Sequence, residues 1–294
     1  MSIVTFWNDD REQSGKTLTA VAVATRMAIE KNYKILLIST SFQDPTIKNC
    51  FWGNEVQRNL KIFGGKANNI AVENGIEGLV KLITANKLTP SAITDYTRVI
   101  FKGRLEVING YNGVKDENSD YNFQTYRDIE KCYVELIRMA NQYYDMVLVD
   151  LDKAISPAVR NEILEVSNLN VIVFSQKKES LDRYKKLIEN KPQLNTPKTL
   201  PVIGKYMRQS KYNLKNIMKY LEERKEMSVI PFNMLYFEAA EESGVADLLL
   251  RLDNIKDTSD ENYIFAQDVQ KLVDKIIKRL KELQMRMRWK NDTN

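Results

Sequence analysis

Apolar residues fall along the chain in two patterns. The first is short continuous runs: residues 3–7, then "YKILLIST" with its unbroken apolar centre at 35–38, then "YYDMVLVDLD", "NLNVIVFSQ", "LPVIGKYM" and "SVIPFN". Runs of this length without polar alternation fit strands buried on both faces, as in a parallel sheet. "RLEVING" predicts a shorter strand, and Pro231 breaks the last one. The second pattern is helical. Leu18, Val21, Ala22, Thr25, Ala28 and Ile29 share one face of a helix predicted over 16–31. "GIEGLVKLITANKL", residues 124–142 and the stretch from about Tyr263 predict further helices, and the polar segment 114–122 predicts an exposed loop. Strands alternating with helices give an α/β fold: a mainly parallel twisted sheet flanked by helices. No internal repeat, low-complexity tract or linker divides residues 1–294, so one domain is predicted.

Composition narrows the chemistry. A 294-residue chain with 43% hydrophobic content can bury a sizeable core. No apolar run approaches the roughly 20 residues of a membrane-spanning helix, and "MSIVTFWNDD" lacks the pattern of a secretion signal. Two cysteines, Cys50 and Cys132, make no disulfide framework and read as packing residues in a reducing compartment. The expected location is therefore cytoplasmic. There is no histidine, which excludes Ser-His-Asp and Cys-His catalysis and histidine metal sites. The net charge of +5 permits contact with nucleic acid or anionic lipid without arguing for it.

One loop carries candidate chemistry. "DDREQSGKTLTAVAVATRMA" places Gly15, Lys16, Thr17 and Leu18 where the first strand's loop meets the first helix. Helix-start N–H groups have no internal partner and sit at the positive end of the helix dipole, so a phosphate is stabilised there. Lys16 would reach the β and γ phosphates, Thr17 would ligate Mg²⁺ through its hydroxyl, and Gly15 would let the backbone approach the anion. Asp10 stands where the phosphate-loop pattern has its first glycine, and Glu12, Gln13 and Ser14 fill the turn. Asp10 and Glu12 would repel a triphosphate unless they point outward. The alternative is that Ser-Gly-Lys-Thr merely begins a helix.

With the N-terminal strand, "REQSGKTLTAVAVATRMA", "KILLIST", "YDMVLVDLD", "NVIVFSQ" and "VIPFNMLYFEAAEESG", the chain resembles the ParA/MinD group of deviant P-loop ATPases over most of its length. The middle region resembles divergent members, among them the pilus-associated TadZ/CpaE-like branch. The resemblance implies ATP and Mg²⁺ as cofactors, with Arg11, Glu12, Gln13, Ser14, Gly15, Lys16, Thr17 and Leu18 around the phosphates, Lys205 and Pro231 on the base side, and Thr17 and Asp150 at the metal. It implies catalytic roles for Lys16 and Arg11. Arg11 falls where the family has a lysine that reaches the partner subunit's nucleotide, but its planar fork is not equivalent to a compact ammonium. Lys205 falls where the family has an asparagine. Where the family's second strand ends in two carboxylates that position water, this chain reads Ser39, Thr40 and Ser41, and Asp44 is the nearest substitute. The binding half of phosphoryl transfer is thus kept and the water-positioning half weakened. The resemblance implies slow or absent hydrolysis by a homodimer that positions an assembly such as a pilus or secretion machine. Two alternatives stand: a DNA-partition or mobile-element ATPase, and a scaffold with a degenerate loop, in which Lys16 would pair with an acid.

The predicted C-terminal helix, about 263–290, carries an apolar stripe of Val269, Leu272, Val273, Ile276, Leu280, Leu283 and Met287 among many Lys and Arg residues. Packing on the sheet with a solvated basic face is the first reading. Its rivals are peripheral contact with the inner face of a membrane, with Trp289 at the interface, docking on a protein partner, and DNA binding. "QKKESLDRYKKL" reads as the solvated face of another helix.

Overall fold

The apolar runs assemble one eight-stranded sheet. In chain order its strands are β1 (Ser2–Trp7), β2 (Ile35–Ser39), β3 (Arg98–Phe101), β4 (Leu105–Ile108), β5 (Met146–Asp150), β6 (Leu169–Phe174), β7 (Thr199–Tyr206) and β8 (Ser228–Pro231). They lie in the order β3-β4-β2-β5-β1-β6-β7-β8. Every pairing is parallel except β3 with β4. This computed structural model describes residues 1–8, 13–53, 75–113, 119–191, 194–223 and 226–292, with side chains to Arg286.

Burial on both faces explains the continuous apolar runs. Successive strand residues point to opposite sides, and along β1 Val4 and Phe6 enter one core while Ile3 and Trp7 enter the other. The first core lies under α1 (Lys16–Glu30), α2 (Thr46–Phe51), α9 (Met234–Glu241), α10 (Val245–Leu252) and α11 (Glu261–Asp292). The second lies under α3 (Ile76–Thr84), α4 (Ser119–Glu130), α5 (Tyr133–Ala140), α6 (Pro157–Val166), α7 (Lys178–Asn190) and α8 (Leu214–Leu221). Helix α1 is buried nearly all round, from Thr19 to Ala28, because it is sandwiched between the central strands and α10 and α11. Its alanines at 20, 22, 24 and 28 let those neighbours approach closely.

Three elements differ from the sequence expectation. Strand β3 was not predicted: it is a four-residue antiparallel edge whose apolar run, Val99 to Phe101, is only three residues long and is exposed or half-buried. The helix expected over 124–142 is two helices, α4 and α5, separated at Lys131 and Cys132. The buried Glu130 carboxylate ties this junction to the loop after β5, accepting hydrogen bonds from Ser156 N at 3.0 Å and Arg127 at 2.8 Å. Of the segment 114–122 expected as an exposed loop, 114–118 lie outside the described residues, and α4 begins at Ser119 with Asn122 buried.

The C-terminal helix is present and its apolar stripe is used internally. Val269, Leu272, Val273, Ile276 and Leu280 are buried in the core and Leu283 packs against it. Gln284 donates to Ser2 Oγ at 3.2 Å. The side chains of Met287 and Trp289 lie outside the described residues. Among the described residues, no helix is long and apolar enough to cross a membrane. Cys50 is fully buried, where burial pushes its thiol pKa far up, and both cysteines are free.

Candidate phosphate-binding site

A parallel sheet brings the carboxyl ends of its strands to one edge, and a crevice opens there where the chain leaves to opposite sides of a central strand. Here β1 is that strand: β5 flanks it on one side and β6 on the other. The loop after β1 therefore meets the end of β5. Gly15 adopts a left-handed conformation, φ 82°, which turns the chain into α1. There is no acidic side chain in the first turn of that helix to compete for its free amides.

Lys16, Thr17 and Asp150 form a closed cluster. The Lys16 ammonium donates to Asp150 Oδ1 at 2.5 Å and to the Leu151 carbonyl at 2.9 Å. Thr17 Oγ1 donates to Asp150 Oδ2 at 3.0 Å. Both carboxylate oxygens of a side chain only 2% exposed are thus engaged. Two buried charges compensate each other here, and either alone would be costly. The site can do one of two things. It can remain closed, with Lys16 neutralised internally. Alternatively, Lys16 can turn towards a phosphate while a cation between Thr17 and Asp150 replaces the ammonium as the carboxylate's counter-charge. A hydroxyl and a carboxylate converging at 3.0 Å are hard oxygen donors suited to Mg²⁺.

The cleft above this cluster is lined by Gln13, Ser14, Gly15, Lys16, Thr17, Leu18, Lys205 and the acids Asp44, Asp152 and Glu241. Ser14 is buried and its hydroxyl accepts from Asn8 at 2.6 Å, which fixes the end of the loop. Arg11, Glu12 and Asp10 lie outside the described residues. Asp44 reaches the cleft, but its Oδ1 accepts from both the backbone N and the hydroxyl of Thr46, at 2.9 and 2.5 Å, closing the turn before α2. Asp152 accepts from Ala154 N at 2.6 Å. Burial raises its pKa above the ordinary aspartate value, opposed by the Lys16 charge and reinforced by Asp150 and Asp44.

The segment at the end of β2 carries no acid and is strapped in place. Ser39, Thr40 and Ser41 are all buried. Ser39 and Ser41 hydroxyls bond each other at 2.9 Å, Thr40 N donates to the Asp150 carbonyl at 3.1 Å, and Tyr126 OH donates to the Thr40 carbonyl at 2.7 Å. Gly110 lies so close that an added Cβ would sit 2.3 Å from Ser41 O.

Beside the cleft, an apolar pocket is lined by Gly15, Leu18, Lys205, Pro231, Phe232, Tyr236 and Phe237, among others. Lys205 and Pro231, named from the sequence as base-side residues, do stand together there. Phe232, Tyr236 and Phe237 were missed as pocket residues; the only local signal was Asn233, which caps α9 by accepting from Tyr236 N at 2.8 Å. Tyr236 OH then donates to the Leu18 carbonyl at 2.7 Å, locking the pocket to α1.

Similar architectures are known. A ParA family ATPase from Chlorobium tepidum superposes with a TM-score of 0.62 at 16% identity, over 93% of this chain and 96% of that one. MinD from Pyrococcus horikoshii, complexed with Mg-ADP, gives 0.61 at 14%, over 94% and 95%. A candidate plasmid partition protein from Borrelia burgdorferi, bound to AMPPNP, gives 0.57 at 16%, over 97% and 99%. No family model matches the sequence, and no curated protein matches it. The fold is that of the ParA and MinD P-loop ATPases.

Proposed function

We propose that a chain folded as the ParA and MinD ATPases are uses this cleft to bind ATP with Mg²⁺, hydrolyses it slowly or not at all, and acts as a nucleotide-gated dimer that positions a cellular assembly. The observation that carries the reading is the convergence of Gly15, Lys16 and Thr17 at the start of α1 with Asp150 at the end of β5. Lys16 and the amides of the first turn would hold the phosphates, and Thr17 with Asp150 would hold the metal. Bound Mg²⁺ would neutralise charge on the phosphates; the protein's own part is to orient them and shield them from water. Slow turnover follows from the end of β2, where three hydroxyl residues stand in place of carboxylates and are already committed to one another and to the backbone.

The assembly would be of the pilus or secretion kind suggested by the TadZ/CpaE-like resemblance. A solved MinD neighbour is in complex with MinC, which makes a protein partner a reasonable counterpart here. Because α11 spends its stripe on the core through Leu280, membrane contact would fall to its last turns, and DNA contact to its basic face.

Titration calorimetry with Mg-ATP, with light scattering on the same samples, tests the proposal. Saturable binding that Lys16→Ala abolishes, with a mass shift to dimer, is expected. A circular dichroism spectrum checks that the variant folds. No binding at millimolar ATP sinks the reading. The second reading, a scaffold that has lost its ligand, is favoured by one observation: the Lys16–Asp150 pair is the acid pairing that such a scaffold needs.

A further inference from the structure

Lys205 is held over the phosphate loop by an unusual stretch of strand. The pairing of β7 with β8 shifts register between Ile203 and Tyr206, and within that bulge Lys205 has φ +50°. A left-handed backbone disfavours a long side chain, and such residues persist where the surroundings over-determine them. The surroundings here are the loop itself. A Cβ added at Gly204 would lie 2.2 Å from Ser14 O, so the bulge presses its backbone directly against the loop. The Lys205 stem packs on Gly15, its Cγ 3.1 Å from where a Cβ there would stand. Both the phosphate cleft and the apolar pocket include Lys205 in their walls.

The ammonium at the end of that stem has no hydrogen-bond or ion-pair partner among the described residues. The other charges of the cleft are differently placed. Lys16 is neutralised by Asp150, Asp44 is bonded to Thr46 and Asp152 to Ala154 N, while Glu241 lines the cleft from α9 without an ion pair to Lys205. Lys153 is exposed at the rim. A strained backbone therefore aims an uncommitted cation at a loop built to receive an anion.

We propose that Lys205 is a second phosphate cation of this site, holding the polyphosphate chain of a nucleotide from the β7 side while Lys16 approaches from the β5 side. The inference rests on the nucleotide reading above. It gives Lys205 the phosphates as its ligand, with only its aliphatic stem walling the base pocket.

The test is titration of ATP, ADP and AMP, each with Mg²⁺, into the wild type, Lys205→Met, Lys205→Arg and Lys153→Met. Lys205→Met keeps the stem and removes the charge. It should weaken ATP about tenfold, ADP less, and AMP less than about twofold, the scale of one charge-assisted hydrogen bond. Lys205→Arg should restore most of the ATP loss. Lys205→Asn suits the left-handed backbone and provides a second uncharged variant should Lys205→Met fail to fold. Equal losses for ATP and AMP would overturn the inference, because the side chain would then be serving the base pocket. So would unchanged affinity for ATP, or an equal loss in Lys153→Met, which would mean bulk charge alone. If the wild type binds none of the three nucleotides, the nucleotide reading falls and takes this inference with it; if it binds ATP and Lys205→Met is unaffected, only the inference falls.

Discussion

The two sides of β5 at the sheet's carboxyl edge differ in what they hold. On the β1 side, Asp150 faces a lysine and a threonine from α1 in a buried, fully paired cluster. On the β2 side, the backbone of the same residue meets Thr40, in a segment with hydroxyls and no carboxylate. One side is arranged around charge, which can be exchanged for a ligand's. The other is arranged around neutral hydrogen bonds and close backbone contact, which hold position and exchange nothing. If the site works as proposed, the charged side would grip phosphates while the neutral side serves only as a strut.

The comparison can be broken from the charged side first. Asp150→Ala strands Lys16 in a buried site and should lower stability by about 3 kcal/mol, the scale for removing one partner of a buried pair. Urea denaturation measures it, and a loss below about 1 kcal/mol would mean that Lys16 escapes to solvent. On the neutral side, Gly110→Ala forces a methyl group against Ser41 and should cost about 2 kcal/mol, within the range for overpacking. An unchanged midpoint would show that the strap yields. Ser39→Asp places a carboxylate at the end of β2. Given ATP binding, it should raise turnover about tenfold, or ~1.4 kcal/mol of barrier; a phosphate-release assay that finds no gain would place the defect elsewhere.

The smallest effect concerns Asp152. Burial raises its folded-state pKa, so the folded protein holds this proton more tightly than the unfolded chain does. That contribution is complete below the ordinary aspartate range and is lost as pH rises through the raised folded value. Asp152→Asn removes the loss, so its Tm should exceed that of the wild type by about 1–2 °C above that window and converge with it below. A constant difference across pH would exclude the carboxyl as the cause.

Much of this molecule is legible in its sequence, for physical reasons. Strands buried on both faces are written as unbroken apolar runs, and β1, β2, β5 and β6 were found that way. Gly15, Lys16 and Thr17 drew notice because their spacing is local, and the structure brings them to Asp150 at the end of β5. Strand β3 was not found, since three apolar residues, Val99 to Phe101, make too short a run to mark a strand by themselves. The break between α4 and α5 carries no glycine or proline, and depends on Glu130 reaching a loop that lies 26 positions further along the chain. The bulge at Lys205 was equally silent: nothing in "LPVIGKYM" marks a left-handed lysine, because the constraint comes from a loop almost two hundred residues earlier. The sequence spells out local geometry and burial, and leaves out contacts that join distant segments.

The place of β1 in the sheet bears on how the protein is made. Strand β1 lies between two that come much later in the chain: Ser2 pairs with Met146, and Val4 with Leu169. Until the ribosome has delivered both, the segment that leads to Gly15 and α1 lacks a lateral partner on at least one edge. Sheets built from such distant pairings fold slowly, and their unpaired edges invite association with other chains. A nascent chain halted before β6 would present β1 uncovered on one edge, a stretch that a chaperone would have to shield until β6 arrives.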